Sequence, residues 1–219
     1  MEVVDEFGRS LLLTTLLGSI LSLIRALAAA TFVICVAFLL VSISEISRFT
    51  IFGNLVRFVL DSLESVPPFV WVLAAVSALS QDTFLVVTAV FTFAALPLVF
   101  NFLANLARDV MNRPYYKAAL ALGANDIYMF RRHLIPGMWR QCLAPFLLLV
   151  GSALAVYGVI GIFGFVNRSD LDLGVLLLRG KERAFLNPEL MVSAIIAYIT
   201  LFALLRFGIF LATKERNVE

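Results

Sequence analysis

Across 219 residues the chain is 62% hydrophobic and only 15% charged, with a formal net charge of +2. Soluble domains run nearer half apolar and a quarter charged, so the composition excludes one and fits an integral membrane protein. The charge is too small and too scattered for nucleic acid, and Cys35 and Cys142 fall in or beside apolar runs, which excludes a disulfide framework.

No metal cluster, glycine-rich phosphate loop or nucleophile elbow occurs, so no catalytic site and no cofactor of the chain's own is expected. The start, MEVVDEFGRS, is acidic and the apolar run behind it is long, which reads against a cleavable signal peptide. That run, about Ser10 to Ser44, exceeds the roughly 20 residues one span needs. Arg25 divides it into an interfacial helix at 10–24 and a span at about 26–44, with the Arg25 stem snorkelling toward headgroups.

The next span, about 66–80, opens on Pro67-Pro68, where proline is tolerated because a first-turn N–H has no helical partner. Asp61 and Glu64 stand ahead of it and are expected to cap it, since acids suit a helix N-terminus. After the turn at Gln81–Thr83 comes a span at 84–106, kinked at Pro97. A polar stretch at 112–140 follows, then spans at about 143–165 and 190–211.

Five spans put the termini on opposite sides. Arg48, Arg57, Arg108, Arg113, Lys117, Arg131, Arg132, Arg140, Lys214 and Arg216 fall on one side; Arg9, Arg168, Arg179, Lys181 and Arg183 fall on the other. The richer side is cytoplasmic, which leaves the N-terminus outside and the C-terminus inside. Arg206, near the end of the last span, is expected to snorkel. Thr88, Thr92, Ser152 and Tyr157 are polar groups inside spans that either line a translocation path or glue helices together.

The polar stretch contains KAALALGANDIYMFRRHLIP, Lys117 to Pro136. Residues 114–122 form an Ala-rich helix, and Gly123 supplies the left-handed residue that ends it. Asn125 or Asp126 caps a second helix, which runs to Leu134 and is stopped by Pro136. The product is a cationic helix–Gly–helix elbow on which Tyr128, Met129 and Phe130 expose apolar surface. Such a surface suits a docking partner, while a basic interfacial loop is the plainer reading. His133 either titrates or bonds a helix-end carbonyl.

The stretch resembles the cytoplasmic EAA loop of ABC importer permeases: Ala118, Ala119, Gly123 and Pro136 fall at the matching spacing. Its RHLIP ending (Arg132 to Pro136) is the form of the dipeptide, oligopeptide and nickel branch. DEFGRSLLLTTLLGSILSL (from Asp5), LDSLESVPP (from Leu60), LDLGVLLLRG (from Leu171) and NPEL (from Asn187) resemble further segments of that branch, in order.

The resemblance implies an all-α, type I importer permease-like fold of about five spans in the inner membrane. In that fold the elbow at 112–140 is the coupling loop that docks on a cytoplasmic ATPase. Lys117, Ala118, Ala119, Gly123, Asp126, Tyr128, Phe130, Arg131, Arg132, His133 and Pro136 would carry the coupling. The implied partners are a second permease subunit, ABC ATPases that bind the ATP, an external solute-binding protein and the lipid bilayer.

The sequence departs from the pattern in three places. Lys117 stands where the family has glutamate. The branch's first span has no counterpart ahead of Asp5. GIFGFVNRSDLDLG keeps Gly161, Gly164 and Gly174 but loses the outer-loop tryptophan. Two readings therefore stay open, a working permease half and a permease fold put to structural or signalling use.

Overall fold

The computed structural model describes residues 10–46, 50–67, 70–71, 74, 83–165 and 171–216. Among them the chain is helical throughout. Helix α1 spans Leu11–Val41 and runs on through a π-helical turn at Ser42–Ile46, followed by α2 at Thr50–Glu64 and α3 at Thr83–Met111. Short helices α4 (Pro114–Ala121) and α5 (Asp126–Met129) lead through a second π turn, Phe130–Leu134, into α6, Ile135–Ile162. Helix α7, Leu173–Glu182, and helix α8, Pro188–Arg216, complete the order.

Four stretches among the described residues are long and apolar enough to cross a membrane: Leu11–Glu45, Val86–Met111, Gln141–Ile162 and Pro188–Lys214. The helices behind the second and fourth overrun the expected apolar segments at both ends, and the third begins at Ile135 but stops at Ile162, three residues short of the expected end. The expected span at 66–80 lies mostly outside the described residues. Its entrance is visible in Pro67, whose carbonyl accepts from the Val70 N–H at 3.0 Å.

The division at Arg25 is not observed. Residues 11–41 are one helix, about 46 Å long at 1.5 Å per residue. Its inward stripe is Thr14, Gly18, Ser22, Ala26, Ala29, Ala30, Val33, Ala37 and Val41, recurring every three or four residues. Small side chains at that spacing let α3, α6, α7 and α8 approach its backbone closely. Nothing near residue 25 breaks a helix, so only the guanidinium argued for a boundary.

Arg25 does not snorkel either. Its Nη1 donates to Asp172 Oδ2 at 2.5 Å, and both side chains are largely buried. Asp172 caps α7, its Oδ1 accepting from Val175 N at 2.8 Å, and Leu173 N donates to Ser22 Oγ at 2.9 Å. Ser22 and Arg25 are one turn apart on α1 and together receive the N-terminus of α7.

Helix α7 is too short to span, yet Leu173 to Leu178 and Gly180 are all buried. Glycines set how close it comes: a methyl at Gly180 would fall 2.7 Å from Met191 Cα on α8, and one at Gly161 on α6 would overlap the Gly174 backbone. Gly161 and Gly174, kept in a segment otherwise altered, are thus the contact between α6 and α7.

Arg25→Met strands a buried carboxylate and is expected to cost about 3–5 kcal/mol of unfolding free energy. Arg25→Met combined with Asp172→Asn, which keeps a capping side chain, should recover most of that loss. Denaturant unfolding in detergent micelles reads both.

Candidate functional site

Helix α3 ends at Met111 and the chain turns through Asn112 and Arg113 into α4, with Pro114 in its first turn. Gly123 follows at φ +82°, in the left-handed region. Its N–H donates to Leu120 O at 3.0 Å and the Ala124 N–H to Ala119 O at 3.2 Å. That pair of bonds is the Schellman C-terminus, which closes the orphan carbonyls of α4 and turns the chain back. Asn125 receives the Met129 N–H on its carbonyl, 2.9 Å away; the Asp126 side chain lies outside the described residues.

Pro136 does not stop a helix. It sits in the first turn of α6, and the chain reaches it through the π turn at Phe130–Leu134. Proline lacks an N–H and its ring crowds the carbonyl four residues back, so a widened turn ahead of it removes the clash without ending the helix. The second arm of the elbow is therefore continuous with a membrane-capable helix.

The expected docking face is also redrawn. Met129 is 1% exposed and Phe130 half-buried against the core, so neither presents apolar surface; with Tyr116 and Leu134 they root the elbow. What the elbow exposes is Leu120, Leu122 (89%), Ile127 (68%) and Tyr128. Lys117, Ala118, Arg131 and Arg132 are exposed with them, while Ala119 is half-buried. Asn125, Ile127, Tyr128, Arg131 and Arg132 frame a shallow cleft of about 550 Å³.

His133 is neither free nor turned to a helix end. Its ring lies 5.7 Å from Tyr115, 6.5 Å from Tyr116 and 5.8 Å from Tyr128, centroid to centroid. It pins α4 to the second arm by ring packing.

The remaining polar residues sort by partner. Thr88 Oγ1 and Tyr157 OH share a 2.7 Å hydrogen bond between α3 and α6. Thr92 and Ser152 hydroxyls donate to carbonyls of their own helices, Thr88 O at 2.7 Å and Leu148 O at 3.0 Å. Asp61 and Glu64 sit in the last turn of α2, and both accept from Asn101 Nδ2 on α3, at 3.4 and 3.0 Å; the span they were expected to cap lies mostly outside the described residues. They brace α2 on α3 because the helix they belong to runs through them to Glu64.

Two charge networks escaped the sequence. One is Arg25 with Asp172. The other is Glu45, whose side chain is 8% exposed and which takes Arg57 and, at 3.1 Å, Arg108. It joins the end of α1 to α2 and α3, where Gly53 packs so closely that a methyl would meet Ser44 O at 2.8 Å. Glu45, standing alone at the edge of an apolar run, was the available signal for the second.

The geometry defines a class: an all-α, multi-pass membrane domain with a rooted two-helix elbow between two of its membrane-capable helices. Residues 38–214 match the family "Binding-protein-dependent transport system inner membrane component", and the chain belongs to it. It is 28% identical over 132 residues to a "Probable peptide ABC transporter permease protein" of Sinorhizobium fredii, covering 60% of this chain and 44% of that one. With a "Probable sulfate transport system permease protein" of Chlorella vulgaris it shares 27% over 125 residues, covering 57% and 47%. The chain thus spans about half the length of the curated relatives it matches.

Among solved structures it resembles a chain of the MetNI methionine ABC transporter in an inward-facing conformation: TM-score 0.70, 14% identity, 93% of this chain and 96% of that one. A crystal structure of an amino acid ABC transporter with histidines gives TM-score 0.64 at 14% identity, covering 94% of each. The fold is that of ABC importer permeases.

A Cβ at Gly123 meets nothing within 4 Å, so substitution there brings strain without collision. Gly123→Val should cost about 1–2 kcal/mol through the left-handed backbone alone, and Gly123→Asn less. Faster hydrogen exchange at the amides of 123 and 124 in the Val variant, with the exchange of α6 unchanged, is the expected readout.

Proposed function

We propose that this chain is the permease half of an ABC importer. It pairs with a second permease subunit, supplies half of a translocation path and takes its motion from cytoplasmic ATPases docked on the elbow at 112–140. The carrying observation is that the elbow is exposed at its tip yet rooted at its base in α3 and α6, the elements that would have to move. A rooted elbow transmits a push to the bundle as a rigid body. The ATPases bind and hydrolyse the ATP, and a solute-binding protein on the outer face delivers the solute.

The solute is of the peptide or nickel class; the RHLIP ending and the Sinorhizobium relative support this. Thr88 and Tyr157 act first as helix glue, and any role in the path would run through breaking their mutual bond. The Lys and Arg distribution supports an N-terminus outside the inner membrane and a cytoplasmic C-terminus.

A second reading, a permease fold in a structural or signalling complex, is favoured by one observation: Lys117 is exposed where the family has glutamate.

Purification from native membranes in gentle detergent separates the two. The transport reading expects a second permease-like subunit and an ATPase with a P-loop; a stable complex without any ATPase would overturn it. In the assembled complex, Gly123→Val should abolish solute uptake while the subunits still co-purify.

A further inference from the structure

We infer that the ATPase surface receiving this elbow is an acidic groove around an apolar centre, with a carboxylate opposite Lys117. This rests on the reading of the elbow as the ATPase-docking element and goes beyond it by fixing the chemistry of the partner.

Two groups among the chain's cations contrast. Those facing the bundle are matched internally: Arg25 by Asp172, and Arg57 and Arg108 by Glu45. Those on the elbow, Arg113, Lys117, Arg131 and Arg132, are exposed, and among the described residues none meets a carboxylate. From Asn112 to Leu134 the sequence holds one acid, Asp126, against these four cations. One acid cannot match four cations, which leaves positive charge on this face for another molecule.

The same face carries an apolar centre. Leu122, Ile127 and Tyr128 project from the turn, with Arg131 and Arg132 on the rim of the cleft beside Ile127 and Tyr128. Apolar and aromatic anchors inside a charged rim are the anatomy of a protein interface. Anionic lipid would satisfy the cations but not the shape. A bilayer surface is flat and fluid, whereas this cleft is fixed by the Gly123 turn, by buried Tyr116, Met129 and Leu134, and by the rings around His133. A preformed face loses less freedom on docking, which favours one partner of fixed shape. Charge then selects among ATPases, because a basic groove would set like charges against Lys117.

The test is retention of the native ATPase, identified by its P-loop peptide, on the immobilised full chain. Wild type, Lys117→Arg, Lys117→Glu and Arg131→Glu/Arg132→Glu are compared at low and high salt. All replaced residues are exposed, and equal melting temperatures establish that the variants fold. The inference expects Lys117→Arg to retain the ATPase as wild type does. Lys117→Glu and the double reversal should lose it by about tenfold or more at low salt, and wild-type retention should fall as salt rises.

Undiminished or improved retention by Lys117→Glu would overturn the acidic groove and leave the docking role standing. If reversal spares the ATPase but abolishes flotation with phosphatidylglycerol vesicles, the cations serve lipid and the inference fails. Absence of any ATPase from the wild-type complex would overturn the docking role itself, and this inference with it.

Discussion

Arg25 and Asp172 hold each other in the middle of an apolar bundle, and most of the architecture depends on that contact. A guanidinium inside a span is costly unless a countercharge meets it. Here the countercharge is the capping residue of α7, a helix too short to span and buried from Leu173 through Leu178. With Ser22 beside it, the pair locates the start of α7 on α1. Gly161 and Gly180 then set its distance from α6 and α8. Charge gives the position and missing side chains give the fit; neither alone would seat a ten-residue helix among three long ones.

The other end of the bundle follows the same rule. Glu45 gathers Arg57 and Arg108, so α1, α2 and α3 meet on one carboxylate. Asn101 ties the end of α2 to α3 a second time through Asp61 and Glu64. The base on which the elbow stands is therefore braced. The elbow's exposed cations meet no carboxylate among the described residues, which leaves a cationic face open to another molecule.

Much of this was legible in the sequence, and the exceptions have physical causes. Apolar run lengths located α3, α6 and α8, because the hydrocarbon thickness fixes how many residues a span needs. Gly123 was legible because a left-handed turn leaves few choices of residue. The break at Arg25 was wrong because its countercharge lies 147 residues away, and no local rule sees Asp172. Pro136 misled because a stop and a first-turn proline look alike until the π turn ahead of it is known. Tyr128, Met129 and Phe130 read as one exposed patch, but consecutive helical residues point in different directions and Met129 turned inward. The order of motifs made the family legible, where no single motif would have sufficed.

Rigid connection between elbow and bundle is the central claim, and one distance tests it. Spin labels at Leu122→Cys, on the turn of the elbow, and Phe185→Cys, between α7 and α8, replace exposed side chains, with Cys35 and Cys142 replaced by alanine. The distance would be measured by pulsed dipolar spectroscopy in the assembled transporter, without nucleotide and during turnover with ATP and Mg²⁺. One narrow distance, unchanged by nucleotide, is the predicted result. A second distance that fills on adding ATP would show the elbow swinging on its own and would contradict the account.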